Sequence, residues 1–593
     1  MATAVREAGR GRVKRVGCCG MCHREPLVEV VDGNGLQALY SHVTPAGAQS
    51  IVRQHLRPRN WLTRARWRAA ALAGNAAPAV PVADERELSS PRIVLENGGR
   101  VDPLDIGDYL ARDGYTALRR CVEQLAPAEV IEIITAARLR GRGGAGFPTG
   151  RKWALAHEQN SPKYVICNGD EGDPGAFMDR LVLESDPQRV IEGLAIAAYA
   201  IGAEEGFFYI RSEYPLAVHH MRQAIREAEA HGILGAHVLG SNTRLKLEVR
   251  EGAGAFVCGE ETALIASLEG RRGTPRLRPP YPVESGYRGH PTLINNVETL
   301  ACVPWILRHG APAFAALGTE SSRGTKVFAL AGKVRHGGLI EVPMGITIRH
   351  IVDDLGDGMQ EGSTLKAVQL GGPSGGCIPA HLADTPVDYE ALSSCGAIMG
   401  SGGLVVLDNR DCMVDISRFF VSFTCQESCG KCTFCRIGTR RMLEILERIC
   451  EGRGRVEDLA NLEELADRVS RNSLCGLGQT APNPVLTALR YFRDEFEAHV
   501  HERCCPAGRC SALIEYRIND SCVGCTLCAQ VCPVGAIDYL PHEQHAVDTE
   551  LCTRCNICFD ICRDRSVEVL SAGSVRATSP VLESTETEGV GAR

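Results

Sequence analysis

Residues 164–175 read Tyr-Val-Ile-Cys-Asn-Gly-Asp-Glu-Gly-Asp-Pro-Gly. The apolar run Tyr164 to Cys167 predicts a buried strand, and Asn168, Asp170, Glu171 and Asp173 follow it at once in a glycine-rich turn. In α/β folds, acceptors at the carboxyl end of a strand suit ribose-like hydroxyls, and a carboxylate there can tune a redox ring or orient a nicotinamide. Further strands are expected at Gly206 to Ile210 and Leu245 to Val249, alternating with helices Arg189 to Ile201 and Leu216 to His231. From Tyr164 to about Arg308 the expectation is therefore an α/β unit with a mainly parallel sheet.

Upstream, a helix over Pro127 to Leu139, opened by Glu129, runs into Gly141-Arg-Gly143-Gly144-Ala-Gly146-Phe147-Pro-Thr-Gly150-Arg-Lys152. Glycines let successive N–H groups converge on an anion, and Lys152 adds positive charge. The loop lacks the Gly-Lys-Ser/Thr of a Walker motif, and a helix precedes it where a dinucleotide fingerprint needs a strand. Two more polar turns are expected at Gly252 to Thr262, with Glu260 and Glu261, and at Leu293 to Thr299, with Asn295, Asn296 and Glu298. Together they read as the walls of one pocket for a phosphate-bearing ligand.

A chain of 593 residues calls for about three to five domains. A net charge of -7 with interspersed signs gives no basic face for nucleic acid. The N-terminal cations Arg6, Arg10, Arg12, Lys14 and Arg15 are not followed by the apolar stretch of a signal peptide. The longest apolar run, Leu194 to Ala203, is about half of a membrane span. A cytoplasmic location without membrane insertion is expected. The 27 cysteines then point to metal ligation, since cytosolic thiols stay reduced.

Cys522, Cys525, Cys528 and Cys532, followed by Pro533, share the spacing C-x2-C-x2-C-x3-C with Cys552, Cys555, Cys558 and Cys562. Three thiolates on one tight loop cap three irons of a 4Fe-4S cube, and the fourth reaches the other cube. One cluster is therefore assigned Cys522, Cys525, Cys528 and Cys562, the second Cys552, Cys555, Cys558 and Cys532. Paired zinc modules use C-x2-C pairs and fit this spacing poorly. Arg563 stands where the second run would have its proline. A third triplet, Cys429, Cys432 and Cys435, needs a remote fourth ligand. Cys475, flanked by glycines, is the best candidate, with Cys425 and Cys450 competing. His499, His501, Cys504, Cys505 and Cys510 mix ligand types in the manner of tetrahedral zinc, and Cys412 is an available remote ligand.

The motifs GRGGAGFPTGRKW, CNGDEGDPGAF, GAGAFVCGEETAL, INNVETL and ESCGKCTFCR, in that order, together resemble the FMN-binding, NADH-oxidising subunit of respiratory complex I and its soluble relatives. With the two-cluster tail, the chain is most similar to the beta subunit of NAD-linked, often electron-bifurcating, iron-iron hydrogenases, and to subunits of NAD-linked formate dehydrogenases. The resemblance implies a multidomain α/β protein. Residues 1–58 would be part of a thioredoxin-like 2Fe-2S domain, 59–105 a linker, and 106–320 a Rossmann-like FMN and NADH domain. Residues 321–407 would be a ubiquitin-like α+β module, 408–505 a helical bundle with a 4Fe-4S cluster, 506–575 a two-cluster ferredoxin-like domain, and 576–593 a flexible tail.

It further implies that FMN is held by the 141–146 glycines, above all Gly143 and Gly144, with Lys152, Asn168, Asp170, Asn295 and Asn296. Glu171, Glu260 and Glu261 would lie beside NADH, with Glu171 and Glu260 as catalytic candidates, and Phe147 would stack on adenine. Cys429, Cys432, Cys435 and Cys475 would hold the first cluster after the flavin. A zinc pattern implies Cys412, His499, Cys505 and Cys510, with Cys504 as the alternative to Cys505. Implied partners are a small thioredoxin-like 2Fe-2S subunit, an iron-sulfur catalytic subunit of hydrogenase or formate dehydrogenase type, and ferredoxin. A complex I subunit and a non-catalytic electron relay are the rivals. The sequence departs from the family at Leu155, where some members have a second adenine-stacking Phe. It departs again at Cys18 and Cys22, which match one of the two ligand pairs of a 2Fe-2S site, so no cluster is expected there unless a partner supplies the other ligands.

Overall fold

The computed structural model describes residues 1–9, 11–32, 35–72, 81–82 and 91–571. The expected tail 576–593 lies outside these residues. Four parallel strands form the first large sheet: β1 (Tyr164–Gly169), β2 (Glu205–Arg211), β3 (Lys246–Gly252) and β4 (Thr292–Asn296), in the order β3-β2-β1-β4. The chain builds outward from β1 to β3 and then returns to the other side of β1. The junction of β1 and β4 is thus a topological switch point, where the carboxyl ends of two strands leave a crevice. The segment Leu293 to Thr299, expected as a polar turn, is instead the end of β4 and the start of the helix Val297–His309. Asn296 ends the strand and caps that helix, its Oδ1 accepting from the N–H groups of Glu298 at 3.0 Å and Thr299 at 3.3 Å.

The helix Pro187–Ile201 is almost entirely buried between this sheet and its neighbours, which explains the apolar run that begins in it. The expected linker 59–105 divides differently. Trp61–Leu72 is helical, and Ile93, Val94 and Leu95 belong to the main core. Their N–H groups donate to the Glu341 carboxylate at 2.8–2.9 Å, an anchor supplied from far along the chain. Much of the Ala/Pro-rich run lies outside the described residues.

Strands at Thr325–Gly332, Gly338–Pro343, Leu365–Leu370, Gly376–Pro379 and Gly403–Asp408 form a second, mixed sheet, in which the first and last are the parallel pair. Helices Met413–Gln426, Thr433–Cys450, Asp458–Asn472 and Asn483–Tyr491 follow. The tail is not a detached bead: Ile514, Tyr516 and Ile518 of its first strand share a core with these helices. That strand, Ile514–Ile518, pairs antiparallel with Val567–Ser571, and the two short helices between them, Leu527–Val531 and Ile557–Ile561, repeat one design. Each is preceded by a residue of positive φ, Thr526 at 64° and Asn556 at 69°. No helix among the described residues is long and apolar enough to cross a membrane.

Candidate active site and metal-ligand groups

The β1/β4 register sets Asn168 against Asn296 and Cys167 against Asn295 at the mouth of the crevice. Asn168 Nδ2 donates to the Gly259 carbonyl at 2.9 Å, and its Oδ1 accepts from the Asp170 N–H at 3.0 Å, which fixes the turn after β1. Asn295 Oδ1 accepts from Trp153 Nε1 at 2.9 Å. Asp170 is different, because both its carboxylate oxygens are buried without a hydrogen-bond partner. Burial pushes its pKa up to about 7, against the pull of Arg211. Arg211, at the end of β2, also has Nε and Nη1 buried and unpartnered. Buried polar groups are otherwise nearly always satisfied, so this pairing of bare acceptors and bare donors fits a polyhydroxylated, polar ligand.

Glu171 is only 5% exposed. Its two oxygens accept from the N–H groups of Asp179 and Arg180, each at 3.1 Å, at the start of the helix Met178–Ser185. Burial raises its pKa to about 7. Asp173, where Ser401 Oγ donates at 2.9 Å, is raised by burial to about 6. Beneath them Asp179 is held by Asn296 Nδ2, and Lys326 Nζ reaches Glu298 at 2.5 Å and the Ser401 carbonyl at 2.5 Å. Burial raises the pKa of Asp179, with Glu171 and Glu298 adding to the rise. Lys326, Asp179 and Arg211 were not singled out from the sequence. Their roles arise from contacts across long separations, which leave no local pattern.

The glycine loop closes on itself, with the Gly141 N–H donating to the Phe147 carbonyl at 2.9 Å. Gly144 (φ 116°) and Gly146 (φ 63°) adopt backbone open to glycine. A Cβ at Gly144 would lie 3.3 Å from the backbone of Gly400, and one at Gly146 would strike the Tyr389 ring. Packing against a helix and a loop of the module that carries the second sheet therefore explains these two glycines, while Gly143 faces Asn296. Lys152 is engaged by Glu261 and by the Ile294 carbonyl. Glu260 caps the helix Glu261–Leu268, accepting from Thr262 and Ala263 at 3.0 Å, with Arg278 3.9 Å away. Phe147 is 44% exposed and Leu155 38% exposed, so both offer apolar surface to solvent.

The turn after β3 joins the crevice to the first cysteine group. Gly259 touches Asn168, and Val257, two residues earlier, lines a cavity with Cys429, Cys432, Cys435 and Cys475. Cys425 and Cys450 do not line it. In the tail, Cys532 lines a cavity together with Cys552, Cys555 and Cys558. Cys532 Sγ accepts from the Ala536 N–H at 3.3 Å, and Cys562 Sγ from the Ser566 N–H at 3.2 Å. His545, 2% exposed, places Nδ1 3.6 Å from Cys522 Sγ.

Cys412, His499, Cys505 and Cys510 are all buried, with ligand atoms within 4.8 Å of one another. His499 Nδ1 lies 2.7 Å from the Glu495 carbonyl, an orientation that presents Nε2 to Cys412 Sγ at 3.4 Å and Cys510 Sγ at 3.3 Å. Cys504 and His501 stand outside the group. At the N-terminus, Cys18 Sγ donates to Glu25 Oε1 at 2.8 Å.

Residues 134–305 match the family described as the Nuo51 FMN-binding domain. Residues 415–499 match the NADH-ubiquinone oxidoreductase-F iron-sulfur binding region, and 515–538 a 4Fe-4S binding domain. The chain is 51% identical over 461 residues to the HndC component of the NADP-reducing hydrogenase of Solidesulfovibrio fructosivorans, covering 77% of this chain and 94% of that one. It is 45% identical over 415 residues to an F-type NADH-quinone oxidoreductase component of Rhizobium meliloti, covering 70% and 99%. Among solved structures, an H2-reduced NAD+-reducing NiFe-hydrogenase superposes with a TM-score of 0.62 at 32% identity, covering 84% of this chain and 81% of that one.

Proposed function

The chain belongs to the family of FMN-binding NADH oxidoreductase subunits that includes the F-type components of NADH-quinone oxidoreductase and the hydrogenase component HndC, and on that premise we propose how its residues divide the work. It is a flavoprotein subunit that oxidises NADH and feeds 4Fe-4S clusters. Bound FMN supplies the conversion of a hydride into single electrons.

The bare Asp170 carboxylate at the switch point carries the reading. Asp170, Asn168, Asn295, Asn296, Lys152 and the backbone around Gly143 hold the flavin. Phe147 offers a stacking surface for adenine, and Glu260, Glu261 and Arg278 line the nucleotide side. Glu171 acts as a positioning residue, fixing the Met178–Ser185 helix behind the crevice, with its pKa raised by burial to about 7. Cys429, Cys432, Cys435 and Cys475 hold the first cluster, a placement supported by the short link through Val257 and Gly259. The tail holds two more with exchanged fourth ligands, Cys532 joining the Cys552 triplet and Cys562 the Cys522 triplet. Cys412, His499, Cys505 and Cys510 suit a structural Zn2+ ion, with four closed ligands and an oriented imidazole.

The module at 321–407 is ubiquitin-like. Numbered within itself, its sheet runs 2-1-5-3-4 with strands 1 and 5 parallel. The N-terminal fragment holds no cluster of its own. The assembly is cytoplasmic, with a small 2Fe-2S subunit, a hydrogenase- or formate dehydrogenase-type catalytic subunit, and ferredoxin as a second electron partner, in a bifurcating arrangement. Titrating flavin-free protein with FMN and then adding NADH anaerobically tests the reading. Stoichiometric binding and bleaching of the flavin are expected. A chain with all clusters intact that neither takes up FMN nor responds to NADH would be an electron relay.

A further inference from the structure

A cavity of about 830 Å³ opens against the helix Glu261–Leu268, beside the first cysteine group. Its wall carries Arg271, Arg272, Arg276, Arg288 and Lys431 against one carboxylate, Glu269. Arg272 donates to the Cys429 carbonyl at 3.0 Å, Arg276 to that of Ser285, and Lys431 to that of Pro275. Carbonyls are neutral, so these bonds orient the cations without cancelling their charge. Only Arg271 meets a carboxylate, that of Glu269, and Arg271 is 70% exposed. The Arg288 guanidinium lies over the Tyr287 ring, 5.0 Å from its centre. A chain of net charge -7 thus turns strongly positive at one concave place, and concave charge of one sign focuses the field that steers a charged partner.

The position matters as much as the sign. Lys431, between Cys429 and Cys432, lines both this cavity and the cysteine cavity. Phe434 and Ile437, in the helix that begins after Cys432, are exposed apolar side chains at the same ligand loop. Three of the five cations are already turned to separate carbonyls, so they spread charge along a wall and do not converge as a cradle for one phosphate group. A spread positive wall with an apolar edge, touching an electron donor, fits a protein surface of opposite sign.

We propose that this cavity is the docking surface for an acidic iron-sulfur electron carrier protein, which inserts a carboxylate-rich segment here and accepts one electron from the group held by Cys429, Cys432, Cys435 and Cys475. The inference rests on the assignment of those four cysteines to a cluster. The test uses the cluster- and flavin-loaded full chain, with an acidic plant-type 2Fe-2S ferredoxin as the probe. The variant Arg271→Glu/Arg288→Glu touches neither the cysteines nor the β1/β4 crevice. Its ferredoxin Kd should rise by about tenfold or more at low salt, since two side chains on the cavity wall reverse sign. Its salt dependence should flatten, and its NADH to viologen rate should stay at the parent value. The neutral pair Arg271→Gln/Arg288→Gln should fall between. An unchanged Kd and salt slope would overturn the proposal, as would saturable binding of ATP or pyrophosphate at micromolar levels that the double variant abolishes. Ferredoxin binding without any NADH to viologen activity would count against the flavin reading and leave the docking surface standing.

Discussion

Asp170→Asn should pull two properties in opposite directions. In the folded protein both carboxylate oxygens are buried and unpartnered, and burial moves the pKa from 3.8 to about 7. At 1.36 kcal/mol per unit, ionising this group costs the flavin-free fold about 2–4 kcal/mol above neutral pH. Because the folded pKa is raised, that stability is present below about pH 4 and lost as the pH climbs to about 7. The asparagine variant removes the charge, so flavin-free protein should become more stable at pH 7.5 and lose part of its pH slope. Flavin binding should suffer, since a charge-assisted hydrogen bond contributes about 1.5–3 kcal/mol, or roughly ten- to a hundredfold in Kd. Fluorescence titration with FMN and urea unfolding at pH 5 and 7.5 give the two readouts. An FMN affinity within twofold of the parent, or a less stable variant at pH 7.5, would contradict the role assigned to the Asp170 carboxylate.

Three other outcomes follow from the ligand groups. Cys532→Ser should degrade the cluster of Cys552, Cys555 and Cys558 while leaving the Cys522 triplet loaded; selective loss at the Cys522 triplet would show that the fourth ligands are not exchanged. Cys505→Ser should lower zinc content and thermal stability, with Cys504→Ser close to the parent by metal analysis, because only Cys505 stands in the buried quartet. His545→Leu should lower the potential of the cluster bound through Cys522 by about 20–65 mV, the equivalent of one lost hydrogen bond of about 0.5–1.5 kcal/mol. His545→Gln, which retains an N–H donor, should recover part of the shift in an EPR-monitored redox titration.

The strands around β1 were legible because each is an apolar run bounded by helices, so local composition and fold agree. β4 escaped notice since its short run ends in two asparagines, which read as a turn until the parallel register with β1 places them at the crevice. Likewise Ile93 to Leu95 look like part of a linker from sequence alone, and only Glu341 explains why they are buried. Cysteine spacing spoke more clearly, since the two tail runs repeat the same geometry down to the positive-φ residues Thr526 and Asn556. The 141–150 glycines stand out in the sequence by their density, yet Gly144 and Gly146 answer to Gly400 and Tyr389 from a distant module. The cationic wall leaves no local pattern because Arg288 and Lys431 join Arg271, Arg272 and Arg276 only through the fold.

Passage of electrons from NADH through a flavin to several clusters within one chain is the property on which the other assignments depend. It is tested most directly by anaerobic isolation of the full chain, flavin and iron analysis, and EPR spectra before and after NADH. One FMN, about twelve irons for three cubes, and NADH-dependent reduction of cluster signals are expected. Fully loaded clusters that stay oxidised under NADH yet reduce with dithionite would contradict it.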